Sequence, residues 1–116
     1  MRAMRNYRHI YIELYRVNVY FILCSSEHYE RKIRHEFEAK SPSDTKNSAG
    51  KFEVYEKDGQ EICVIWITDW EFLAHEIFHC VHWIMHSKGL WLTNSSEEAY
   101  AYLTEFLDRK LRKESK

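Results

Sequence analysis

The chain has 116 residues, of which 45% are hydrophobic, 16% aromatic and 30% charged, with 3 Gly and 1 Pro. That composition excludes a disordered or low-complexity chain, and the length suits one domain over residues 1–116 with a single core. A net charge of −1, from 17 basic and 18 acidic residues, gives no general pull toward nucleic acid or anionic lipid, and no run reaches the ~18 apolar residues of a membrane span.

Basic residues open the chain (Arg2, Arg5, Arg8) ahead of the apolar residues 19–24, which is the outline of a signal peptide. Glu13, Arg16 and Asn18 interrupt that outline, and the stretch alternates like a strand, so the expected location is cytoplasmic. Cys24, Cys63 and Cys80 are odd in number and form no C-x-x-C pair, as expected of reduced core residues. Residues 10–24 are β-branched and aromatic. Their alternation slips near residues 16–18, predicting one long bent strand or two short ones around a bulge.

Ser25 and Ser26 offer an N-cap to a helix over residues 27–39, with Tyr29, Ile33 and Phe37 on one face. Residues 40–50 hold the sole proline and read as a surface loop. Residues 52–57 and 60–67 flank Asp58-Gly59, a strong hairpin signal because a type I′ turn needs positive φ at both central positions. The first of these strands alternates, so one face is wet. The second is apolar throughout residues 62–67, as in a strand covered on both faces. Thr68-x-x-Glu71 reads as a capping box for a helix to about Ser87, with Gly89 as its stop. Ser95 or Ser96 then caps a last helix to about Leu111, with Leu103, Phe106, Leu107 and Leu111 inward. The order β-α-β-β-α-α predicts an α+β domain with a short, mostly antiparallel sheet. The basic cluster Arg109, Lys110, Arg112 and Lys113 is expected to be solvated; a nucleic-acid contact there is the weakest of the functional ideas.

Residues 69–87 carry the chemistry. Apolar side chains cover most of the helical circumference, and the polar ones form a narrow stripe of Glu71, His75, His79, His82 and His86, with Glu76 beside it. A helix of that kind is expected inside the protein. His75-Glu76-Ile77-Phe78-His79 is an H-E-x-x-H pattern. Histidines at i and i+4 project from one face and can meet one zinc ion, while the intervening Glu is set aside to act on a metal-bound water. His82 cannot join both, since three histidines over that length span roughly 10 Å. Position 82 is also His where a metzincin needs Gly, and position 85 is Met where it needs His. The third ligand must come from elsewhere. Glu98 is favoured and Glu97 is the alternative, 19 and 18 residues beyond His79. His82 and His86 form a second i, i+4 pair that also has metal spacing, but Trp83 stands where a Glu would follow its first His; it is read as supporting the zinc ligands, lining the cleft or structural, with a second metal as the lesser alternative.

His75-Glu76-x-x-His79 followed by a Glu on the next helix resembles the gluzincin zinc metallopeptidases, in their smallest single-domain form. Together with Ser96-Glu97-Glu98-Ala99-Tyr100-Ala101-Tyr102-Leu103 it is similar to zincin-like proteins of phages and mobile elements, whose substrates are generally unassigned. The resemblance implies a zincin-like fold, with the sheet packed on the H-E-x-x-H helix and the Glu-bearing helix after it. It implies Zn2+ on His75, His79 and Glu98, Glu76 as general base, and a peptide or protein substrate held along an edge strand, for which residues 52–57 are the candidate. Where gluzincins often carry Asp or Asn four residues after the ligand Glu, this chain has Tyr102, whose phenol could orient a ligand or stabilise an oxyanion. Larger gluzincins close the cleft with a second domain, which is not expected within these 116 residues; that leaves an alternative, a non-catalytic, zinc-stabilised interaction or regulatory module.

Overall fold

The computed structural model describes residues 6–33 and 48–113. Two strands, β1 (Asn6–Ile12) and β2 (Val17–Leu23), occupy the first apolar stretch and pair antiparallel, Ile12 opposite Val17. The slip in alternation is therefore a hairpin turn rather than a bulge, and the order gains a strand: β-β-α-β-β-α-α. The turn, Glu13-Leu14-Tyr15-Arg16, lacks the Gly or Asn that usually signals one. Arg16 itself adopts φ 55°, and its N–H donates to the Glu13 carbonyl at 3.3 Å.

Ser25 caps the next turn by accepting from the His28 N–H at 3.2 Å. The helix α1 (Ser26–His28) passes into a π turn over Tyr29–Ile33, so what is described of the expected helix is short and widely wound. The rest of that prediction, with Phe37 and most of the loop after it, lies outside the described residues. Tyr29 is fully buried and stacks on Trp66 at 5.0 Å.

Strands β3 (Gly50–Lys57) and β4 (Gln60–Ile67) form the expected hairpin, with Asp58 at φ 53° and Gly59 at φ 81°. The sheet order is β1-β2-β4-β3. Two antiparallel pairings thus flank a parallel one, β2 with β4, and the sheet is mixed. β4 is buried on both faces. Cys63, Ile65 and Ile67 join the larger core, while Ile62, Val64 and Trp66 join a smaller one with Tyr29 and Tyr55. In that second core the Tyr29 and Tyr55 hydroxyls both donate to one oxygen of Glu53, which satisfies a carboxylate on the sheet.

The expected Thr68 capping box does not form. Thr68 donates its hydroxyl to the Ala49 carbonyl, and Asp69 caps instead, accepting from the Glu71 N–H at 3.1 Å. A 3₁₀ turn (Trp70–Phe72) leads into α2 (Leu73–Ser87). Gly89, at φ 78°, ends it as expected: its N–H donates to the His86 carbonyl and that of Leu90 to Met85, the paired bonds of a Schellman motif. The last helix, α3 (Glu97–Lys113), buries Tyr100, Leu103, Leu107 and Leu111 along one stripe. α2 packs on β3, β4 and α3 and contributes Leu73, Ile77, Cys80, Val81, Ile84 and Met85 to the larger core.

Candidate metal centre

Seven buried residues of α2 share one side of that helix, which leaves the histidine stripe on the other. His75, His79 and His82 are exposed and His86 is half-buried. Phe78 is 60% exposed. The stripe thus faces outward and not into the interior, as the apolar residues around it had suggested. It forms the wall of an open groove of about 550 Å³. The opposite wall is the start of β3, with Gly50, Lys51 and Phe52.

His75 and His79 meet across one helical turn. Their Nε2 atoms are 3.2 Å apart and their rings are steeply inclined at 76°. That is hydrogen-bond distance, one ring donating and the other accepting. It is also close to the roughly 3.3 Å edge of a tetrahedron whose Zn–N bonds are about 2.0–2.1 Å. Nitrogen donors of this kind suit zinc, so the pair fits two of its positions.

Glu76 lies between the two histidines in sequence and reaches the same groove. Only 6% of it is exposed. Burial pushes its carboxyl above the usual carboxylate value, against the lowering pull of His75, His79 and Lys51. Gly50 makes this close packing possible: a Cβ there would stand 3.3 Å from Glu76 Oε2 and 3.0 Å from the Trp66 carbonyl oxygen. Nothing in the sequence singled out Gly50 or Lys51 beyond their place at the join of loop and strand.

The second pair, His82 and His86, lines the same groove farther along. Partial desolvation, then the neighbouring His82, holds His86 below the ordinary imidazole value.

The remaining expected residues stand apart. Glu97 and Glu98 are exposed in the first turn of α3, and neither lines the groove. At ~100° per residue Glu98 is about 180° around the helix from the buried Leu107, whereas Glu97 is about 40° from Leu111. Tyr102, 66% exposed, lines a separate hollow with Tyr11, Leu14 and Phe106. Among the described residues no three His, Cys, Asp or Glu side chains form a group set to hold one ion. The structure therefore brings together His75, Glu76 and His79, and leaves Glu98 and Tyr102 outside. Among the described residues no helix is long and apolar enough to cross a membrane. No protein-family model, curated protein or solved structure matches the chain.

Proposed function

We propose that this chain is a zinc-dependent peptidase of zincin-like design, acting on a peptide or protein substrate. The observation that carries the reading is the pair of imidazole nitrogens 3.2 Å apart beside a nearly buried carboxylate in an open groove. His75 and His79 would hold the ion. Glu98 is the proposed third donor on its spacing from His79, with Glu97 the alternative on its helical position. Bound there, zinc supplies Lewis-acid chemistry, polarising a carbonyl and making a water acidic near neutral pH.

The chain's own groups do the rest. Glu76 takes a proton from the attacking water and returns it to the leaving nitrogen. β3 pairs with β4 along one side, and among the described residues no strand pairs with the other. That edge borders the groove at Lys51 and Phe52 and would hold an extended peptide by main-chain hydrogen bonds. Turnover of a mixed peptide library should fall about 10²–10⁴-fold in Glu76→Gln, the usual worth of a general base. Equal turnover by the two proteins, or none by either, defeats the reading.

A second reading, a non-catalytic module stabilised by zinc, draws on the positions of Glu98 and Tyr102 outside the groove. It predicts a large fall in melting temperature with chelator and no peptide cleavage.

A further inference from the structure

The peptidase reading uses His75, Glu76 and His79 and leaves half of the histidine stripe without a role. His82 and His86 repeat the i, i+4 spacing of the first pair. Their ring centroids are 3.9 Å apart, with 36° between the planes. An aromatic side chain flanks each ring. Phe78 stacks on His82 at 5.9 Å, and Trp91 meets His86 at 4.1 Å and 87°. Among the described residues neither imidazole has a hydrogen-bond partner, and each ring is held by its aromatic neighbours.

We infer that His82 and His86 form a second metal site, separate from the first, for a divalent ion that prefers imidazole: copper, nickel or zinc. Oxygen-seeking ions such as magnesium and calcium are not served by two nitrogen donors. Seven residues of helix set the two pairs about 10 Å apart along α2. Ions that act together on one substrate lie ~3.5–4 Å apart. Phe78 also contacts both His79 and His82, and so stands between the pairs. The second ion is therefore no part of the hydrolytic step. With two protein donors and the remainder from solvent, it binds more weakly than an ion with three protein donors and exchanges freely.

The test uses the untagged His75→Gln/His79→Gln protein, with Cu2+ as the probe and electron paramagnetic resonance as the readout. Removing the first pair makes the outcome independent of the peptidase reading, whose own failure is read in the zinc content of the native chain. The expected result is one copper per chain, with splitting from two imidazole nitrogens, abolished when His82→Gln and His86→Gln are added. His86→Gln alone should reduce the pattern to one nitrogen, which keeps the test open should the fourfold variant fail to fold. Absence of bound copper in the double variant, or a two-nitrogen signal that survives loss of His82 and His86, overturns the inference.

Discussion

Glu76 joins an exposed pair of histidines to a closed interior, since it is 6% exposed while His75 on one side of it is open to solvent. A buried carboxyl has two ways to be stable: neutral, or compensated by nearby positive charge. Burial dominates here and raises its affinity for protons, so the folded metal-free protein favours the neutral form more than the unfolded chain does. The folded state then binds more protons than the unfolded state between the two values, and stability falls as pH rises through the ordinary carboxylate range up to the raised folded value. In chelated protein, Glu76→Gln should therefore raise the melting temperature at pH 7, with the difference shrinking below about pH 4. A lower melting temperature for the variant at pH 7 would mean that the charged form is the one the fold favours. At this scale the sequence was informative where chemistry imposes spacing. That His75 and His79 meet with Glu76 beside them was legible because one helical turn separates the two imidazoles. The side toward which Glu98 faces was not, because that depends on the phase of a helix whose start and buried stripe are set by contacts distant in sequence.

The elements were legible where a local signal marks them. Asp58-Gly59 announced the β3–β4 hairpin, and Gly89 announced the end of α2, because both need positive φ. The β1–β2 hairpin passed unseen because an arginine takes that conformation. Thr68 looked like a cap, but its hydroxyl serves the Ala49 carbonyl and Asp69 takes its place. On α3 the apolar spacing was read correctly, and it makes a clear energetic forecast. Leu107 is fully buried, so Leu107→Ala should cost about 2–5 kcal/mol in denaturant unfolding. Tyr102 on the same helix is 66% exposed, and Tyr102→Ala should stay within roughly 0.5 kcal/mol of the native chain. Similar losses at the two positions would show that the helix packs on a different face.

Across the whole molecule, the parallel pairing of β2 with β4 was the feature least available to sequence reading. It joins segments some 40 residues apart, and no local pattern encodes it. It also sets the site. β4 is enclosed between β2 and β3, β3 is left at the edge, and α2 lies against both β3 and β4. The groove forms where the edge of β3 meets the histidine face of α2, with Gly50 allowing strand and helix to close on Glu76. The most direct test of the central claim is the zinc content of the purified, desalted chain by elemental analysis. The account predicts about one zinc per chain, the weaker second site having emptied. That zinc should be lost in His79→Ala, and the responses of Glu98→Ala and Glu97→Ala identify the third donor. Retention of zinc in His79→Ala, or a native chain that binds none when zinc is supplied, would contradict it.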